Sequence, residues 1–148
     1  MLGIIVNMSH IKLSSYGKSP FEKLMGHAPA ILNQWEKLEE VFFQSSTFTP
    51  EFLEQIRRAL AFKNLCQYCM LKAGPPEENP ESLRLAMGLR FANKFAQDHT
   101  SIFKEEIQEM EQYFSPQELI ELIAFCSFIT ASQKFGSCLG LQESNQYK

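Results

Sequence analysis

The chain has 148 residues, of which 45% are hydrophobic and 21% are charged, a balance typical of a globular protein. This length is sufficient for one hydrophobic core, so we expect a single domain over residues 1–148. The 14 basic and 17 acidic residues give a net charge of -3. Because no run of Lys and Arg offers a phosphate-binding stripe, nucleic acid is not an expected partner.

The first apolar stretch covers only residues 2–6, and no basic residue precedes it. It is too short for the hydrophobic region of a signal peptide and far too short to span a bilayer. We therefore expect a cytoplasmic protein with no membrane partner.

The first half of the chain predicts two helices. Between residues 28 and 43 apolar side chains recur at helical spacing, and Glu36 and Glu39 are expected on other faces. Thr49 is a predicted N-cap and Pro50 the first helical residue of a second helix, which should run into a Cys-x-x-Cys pair. The apolar stripe of the first helix consists of Ile31, Leu32, Trp35, Leu38 and Phe42.

The second half predicts three more helices. Residues 79–80 give a cap-then-proline start for a helix that ends near His99, and another helix is expected from Ser101. Ser115 and Glu118 form a predicted capping box for a long last helix, apolar on more than one face and therefore buried centrally or between subunits. Apart from a possible short strand near the N-terminus, no segment alternates at period two. The predicted fold class is an all-α helical bundle that assembles as a homo-oligomer.

Cys66 and Cys69 are separated by two residues, a spacing found in redox pairs and in half of many zinc sites. Without an expected export signal, the chain's four cysteines argue against a structural disulfide framework. A zinc site would need Cys126 and Cys138, or His99, and the wide spacing of the two later cysteines does not match a zinc knuckle. We therefore expect no metal. A redox pair and two buried, inert thiols both remain open at this point.

Glu54 stands twelve positions before Cys66 in the stretch TPEFLEQIRRALAFKNLCQYC. This stretch, together with GHAPAILNQWEKLEEVFF and YFSPQELIELIAFCSFITASQKFGSCLGL, resembles the carboxymuconolactone decarboxylase family, in particular its alkylhydroperoxidase D-like branch. The resemblance covers about residues 26–142. It implies an all-helical subunit, usually trimeric or hexameric, in which two cysteines reduce a peroxide while a carboxylate takes part in a proton relay.

In this resemblance Glu54 corresponds to the relay carboxylate, Cys66 to the first motif cysteine and Cys69 to the second. The peroxidase branch usually carries a histidine four residues after the second cysteine, and this chain has Ala73 there. An imidazole at that place could move a proton to or from sulfur. Besides an ordered water, the candidate replacements are Tyr68, Lys72, His27 and His99.

The expected function is a thiol-dependent peroxidase or disulfide oxidoreductase in antioxidant defence, with Cys66, Cys69, Glu54 and Tyr68 as site residues and no cofactor. The expected partners are a peroxide substrate and an external dithiol or thioredoxin-like reductant. We expect Cys69 to attack the peroxide, and Cys66 to resolve the product and then meet the reductant. Two alternatives stay open: a non-redox enzyme resembling a lactone decarboxylase, and a non-catalytic oligomeric binding protein.

Overall fold

The structure is a computed structural model, and it describes residues 9–142. Over this part of the chain the fold contains helices and no strand, which confirms the predicted all-α class. The possible N-terminal strand around residues 2–6 lies outside the described residues. The helices are α1 (Pro20–Met25), α2 (Pro29–Gln44), α3 (Pro50–Lys63), α4 (Gln67–Ala73), α5 (Leu83–Asp98), a 3₁₀ turn (His99–Ser101), α6 (Lys104–Met110) and α7 (Pro116–Cys138).

The strongest start signals in the sequence correspond to observed caps. The hydroxyl of Thr49 accepts a hydrogen bond from the amide of Phe52 at the start of α3. Ser115 and Glu118 form the predicted capping box of α7. An unpredicted helix, α1, begins with the same chemistry, because Ser19 and Glu22 also form a capping box around a proline.

The second predicted helix does not run into the cysteine pair. α3 ends at Lys63, and Leu65 has a φ of 53°, in the left-handed region that an ordinary side chain rarely adopts. The amide of Cys66 then donates to the carbonyl of Ala61, and α4 starts one residue later. This turn separates the two helices and sets the direction of the motif.

Two later helices begin further along the chain than predicted. α5 starts after Ser82, whose hydroxyl accepts from the amide of Leu85, so the cap-then-proline pair at residues 79–80 belongs to the preceding loop. α6 starts at Lys104 rather than Ser101, because residues 99–101 form the 3₁₀ turn that follows α5. The end of α5 near His99 is confirmed.

The core lies where α3, α5 and α7 pack together. A fully buried aliphatic or aromatic side chain contributes about 1.5–3 kcal/mol relative to an exposed one. α7 is long and apolar enough to cross a membrane by length and composition alone, but its buried side chains are central to this core. Side chains with no more than 1% exposure from these three helices include Ile56, Ala59, Leu60, Ala92, Leu122, Phe125 and Cys126.

A hydrogen-bonded glutamine joins the end of α3 to α7. Gln133 is only 3% exposed; its carbonyl oxygen accepts from Asn64 Nδ2 at 2.8 Å, and its Nε2 donates to the carbonyl of Arg57 at 3.2 Å. Asn64 also donates to Thr130 Oγ1 at 3.2 Å. A buried amide with both ends bonded fixes the position of α3 relative to α7 just before the cysteine pair.

We expect Gln133→Ala to lower the free energy of unfolding by about 1–3 kcal/mol, because it leaves the amide of Asn64 without its closest acceptor in a buried place. Urea denaturation followed by circular dichroism measures this change. Gln34→Ala, which truncates an exposed glutamine on α2, is the control. Equal stabilities of the two variants would contradict a structural role for Gln133.

Candidate active site

The two motif cysteines lie at the start of α4. Cys66 is the N-cap residue, and Cys69 is in the first turn, so the Cα atoms are 5.3 Å apart. The two Sγ atoms are joined in a disulfide. Cys66 is 1% exposed, packed with Leu24, Tyr68 and Leu141, whereas Cys69 is partly exposed. A reagent from solution therefore reaches the sulfur of Cys69 first.

The disulfide lines a cavity of about 160 Å³ between α1, α2, α3, α4 and α7. Its apolar walls include Phe21 from α1, Leu32 and Trp35 from α2, and Ile129 from α7. A wider groove of about 990 Å³ lies between α3 and α5 beside residues 75–80, but neither motif cysteine lines it. The smaller cavity, which we call the disulfide cavity, is therefore the candidate site for chemistry at the two cysteines.

Charged side chains share the disulfide cavity with the sulfurs. Arg57 and Lys72 bring positive charge, and Glu22, Glu36 and Glu39 bring negative charge. Glu39 is an exposed side chain, but the protein atoms around its carboxylate remove part of its hydration and raise its pKa, an effect that Arg57 and Lys72 partly offset. Glu22 and Glu36 raise the pKa of Glu39 further by like-charge repulsion.

Glu54, the expected relay carboxylate, does not line the disulfide cavity. Its two oxygens accept from Arg57 Nε at 3.0 Å and Nη2 at 2.9 Å, and Arg58 Nε approaches at 3.3 Å. This places it on the face of Arg57 and Arg58, as the helical spacing predicts. Arg57 does line the cavity, so Glu54 lies one side chain away from it.

Tyr68 and Lys72 do line the cavity, as does Ala73 at the position of the family's histidine. Tyr68 is 8% exposed, and the ammonium of Lys72 lies 5.5 Å from the centre of its ring. The two candidate histidines lie elsewhere. His27 is exposed and its Nε2 bonds the carbonyl of Lys12 at 2.6 Å, and exposed His99 lies in the 3₁₀ turn.

Sequence reasoning missed the acidic side of this site. Glu36 and Glu39 were expected away from the apolar face of α2, yet both line the disulfide cavity. The signal was present: Glu36 lies four residues after buried Leu32, and Glu39 lies four residues after Trp35. Conversely, Ile31 and Leu38 of the predicted stripe are 56% and 45% exposed. The face of α2 that packs inward therefore contains Leu32 and Trp35, and Glu36 and Glu39 border the cavity beside them, whereas Ile31 and Leu38 lie outside this face.

The remaining cysteines take no part in this cavity. Cys126 is fully buried in the core, and loss of hydration raises the pKa of its thiol to about 12. Cys138 is exposed at the end of α7. Among residues 9–142, no group of three or more His, Cys, Asp and Glu side chains is arranged to hold a metal ion.

The sequence matches no protein-family model and no curated protein. The fold, however, matches solved structures, including the following two. An "uncharacterized peroxidase-related protein" from Silicibacter sp. TM1040 superposes with a TM-score of 0.75 at 14% identity, covering 84% of this chain and 76% of that one. A protein from Ralstonia eutropha JMP134, described as an "alkylhydroperoxidase AhpD core", gives a TM-score of 0.68 at 16% identity with the same coverages. The chain therefore has the alkylhydroperoxidase D-like helical fold.

Burial predicts an order of reactivity for the four reduced thiols. We expect exposed Cys138 and partly exposed Cys69 to be alkylated by iodoacetamide before Cys66. Cys126 should stay unmodified in the native protein even at about pH 9, because a pKa of about 12 leaves its thiol protonated. Timed alkylation followed by peptide mass spectrometry measures each site. Cys126 alkylated as fast as Cys138 would contradict the described packing.

Proposed function

We propose that this protein is a thiol-dependent peroxidase or disulfide oxidoreductase that cycles Cys66 and Cys69 between dithiol and disulfide. The observation that carries the proposal is a disulfide in a cavity that also contains carboxylates and a tyrosine. Neither a lactone decarboxylase nor a binding protein requires two bonded sulfurs. The peroxidase-related descriptions of the two structural neighbours agree with the redox reading.

The oxidative half of the cycle uses both cysteines. The thiolate of Cys69, the more accessible sulfur, attacks the terminal oxygen of a hydroperoxide, the O–O bond breaks, and the alcohol leaves after taking up one proton. Cys69 is now a sulfenic acid. The sulfur of Cys66 attacks Cys69, the hydroxyl leaves as water with the second proton, and the disulfide forms. One hydroperoxide is reduced by two electrons from the two thiols.

The reductive half begins at Cys69. A thiolate of an external dithiol attacks this sulfur, the S–S bond breaks, and Cys66 leaves as a thiolate and is protonated. The second thiol of the reductant then releases Cys69 and carries away the new disulfide. The burial of Cys66 does not fit the expectation that Cys66 meets the reductant, so we assign that contact to Cys69.

Glu54 and Tyr68 are assigned supporting roles. Glu54 acts as a positioning residue, because its two oxygens hold the guanidinium of Arg57 beside the disulfide cavity. Tyr68 lies between the two cysteines in sequence and lines the cavity, so its hydroxyl is a candidate to pass a proton. Neither role requires a metal or an organic cofactor.

Assembly and location complete the proposal. A cytoplasmic homo-oligomer, trimeric or hexameric, is what the family resemblance implies. The exposed apolar side chains of α2 support assembly, because Ile31, Leu38 and Val41 are each at least 45% exposed.

The redox role predicts a count of thiols. Reduced protein treated with one equivalent of cumene hydroperoxide should lose two thiols per subunit, measured with Ellman's reagent under denaturing conditions. Neither Cys66→Ser nor Cys69→Ser should lose two thiols per subunit. Cys138→Ser, the control, should still lose two. If both motif variants lose as many thiols as the parent does, the redox function is wrong, and a decarboxylase-like enzyme or a binding protein becomes the better proposal. Disulfide exchange with a dithiol but no reaction with peroxide would restrict the function to an oxidoreductase.

Glu54→Gln should slow peroxide reduction by up to about 100-fold, because a loosened Arg57 no longer holds its place in the cavity. Glu51→Gln removes the same charge from an exposed position on α3 and serves as the matched control. Stopped-flow measurement of thiol oxidation gives the rate, and circular dichroism verifies the fold. Equal rates for the two variants would remove Glu54 from the mechanism.

A further inference from the structure

We infer that Glu39 is the proton acceptor of the disulfide cavity, taking the proton of the attacking thiol and delivering it to the leaving alkoxide. This inference rests on the proposed peroxide reduction and names a residue for its proton transfers. Glu39 lies on α2, outside the Cys-x-x-Cys motif.

The face of α2 that carries Glu39 is fixed against α7. Trp35 Nε1 donates to Ser132 Oγ at 2.9 Å, and the indole packs on Phe128 with 5.4 Å between ring centres. One turn earlier, Leu32 is 1% exposed. Because Glu39 follows Trp35 by one turn, this packing directs the same face of the helix, and with it Glu39, to the disulfide cavity.

Two other nearby carboxylates are already engaged. Glu22 accepts from the amide of Lys18 at 2.7 Å and closes the capping box of α1. Glu54 is held by two arginines outside the cavity. Glu39, in contrast, accepts no hydrogen bond and forms no ion pair within residues 9–142, so its oxygens remain open to a proton. No histidine in that part of the chain lines the cavity.

The charges around Glu39 set its basicity. Arg57 from α3 and Lys72 from α4 attract its carboxylate, Glu22 from α1 and Glu36 from α2 repel it, and the cavity residues from α7 are uncharged. Lost hydration is the largest effect, and the net result is a raised pKa, closer to neutrality. A raised pKa makes the Glu39 carboxylate a stronger base than an ordinary glutamate.

Glu36 also lines the cavity, one turn before Glu39. The carboxylate of Glu39 interacts electrostatically with Lys72, which lies three residues after Cys69 and on the same side of α4. Glu39 is thereby connected to the face of α4 that carries the accessible sulfur. Its contact with solvent supplies a route by which protons equilibrate with bulk water.

The proton transfers balance. Glu39 removes the proton from the Cys69 thiol as the thiolate forms, and the carboxylic acid then protonates the alkoxide that leaves when the O–O bond breaks. The electrons that reduce the peroxide come from sulfur alone. Glu39 ends the step as a carboxylate, ready to receive the proton of Cys66 when the disulfide closes with loss of water.

The test compares Glu39→Gln with Glu40→Gln. Glu40 carries the same charge on the next residue of α2, where it accepts from Gln44 Nε2 at 3.0 Å and does not line the cavity. Reduced protein is mixed with cumene hydroperoxide or hydrogen peroxide in a stopped-flow instrument. Fluorescence of Trp35, the chain's one tryptophan and a cavity residue, is followed as the readout.

We expect Glu39→Gln to lower the second-order rate constant by about 100-fold at pH 7. Glu40→Gln should stay within about twofold of the parent, since Glu40 does not line the cavity and its charge is screened by solvent. The parent rate should fall as the pH drops below the pKa of Glu39, where the base is protonated, and Glu39→Gln should lack this acid limb. Glu39→Asp should retain the limb.

A second readout separates proton transfer from damage to the site. Both reactions need the Cys69 thiolate, but iodide leaves without a proton whereas the alkoxide must be protonated, so Glu39→Gln should slow alkylation by iodoacetamide much less than it slows peroxide reduction. A clearly larger effect on peroxide reduction than on alkylation supports the inference. Equal slowing of both reactions, with the fold intact by circular dichroism, overturns it.

Two failures are distinguishable. If peroxide oxidises the parent protein and Glu39→Gln has the same rate constant across the pH range, the proposed function is retained and the role of Glu39 is rejected. If neither peroxide oxidises the cysteine pair of the parent, the proposed function fails, and the role of Glu39 fails with it.

Discussion

The position of the disulfide depends on how α3 ends against α7. Gln133, buried on α7, bonds Asn64 at the C-terminus of α3 and the carbonyl of Arg57 one turn before the last. The chain then turns through Leu65, whose φ of 53° is unusual for leucine, and Cys66 enters the core as the N-cap of α4. Backbone strain of this kind persists only where surrounding packing determines it, and here it lies next to the candidate active site.

The same arrangement gives the cavity its charges. Arg57 of α3 lines the disulfide cavity and forms an ion pair with Glu54, which lies outside it. Glu39 of α2 lines the same cavity. Apolar side chains line the same cavity, and the partial loss of hydration there raises the pKa of Glu39. In the proposed mechanism, a thiol in this cavity has Glu39 as the acceptor of its proton, and Arg57 and Lys72 as cations that favour the thiolate. The site therefore combines groups from five helices although the motif itself occupies four residues.

Local signals predicted much of this from the sequence, and non-local packing explains the rest. The caps at Thr49 and Ser115 and the pairing of Cys66 with Cys69 depend on residues within a few positions of each other. Glu39 was assigned to the wrong face because its orientation depends on Trp35 meeting Ser132 at the other end of the chain. The sequence contains the Ser19–Glu22 capping box, but this signal was overlooked. The prediction therefore lacked α1, which forms one wall of the cavity.

The most direct test of the account is disulfide mapping after peroxide treatment. Reduced protein would be exposed to one equivalent of cumene hydroperoxide, quenched with iodoacetamide, digested and analysed by mass spectrometry. The account predicts loss of two hydrogen atoms from the peptide that contains both Cys66 and Cys69, reversed by a dithiol, with Cys126 unchanged. Oxidation confined to Cys138, with both motif cysteines recovered as alkylated thiols, would contradict it.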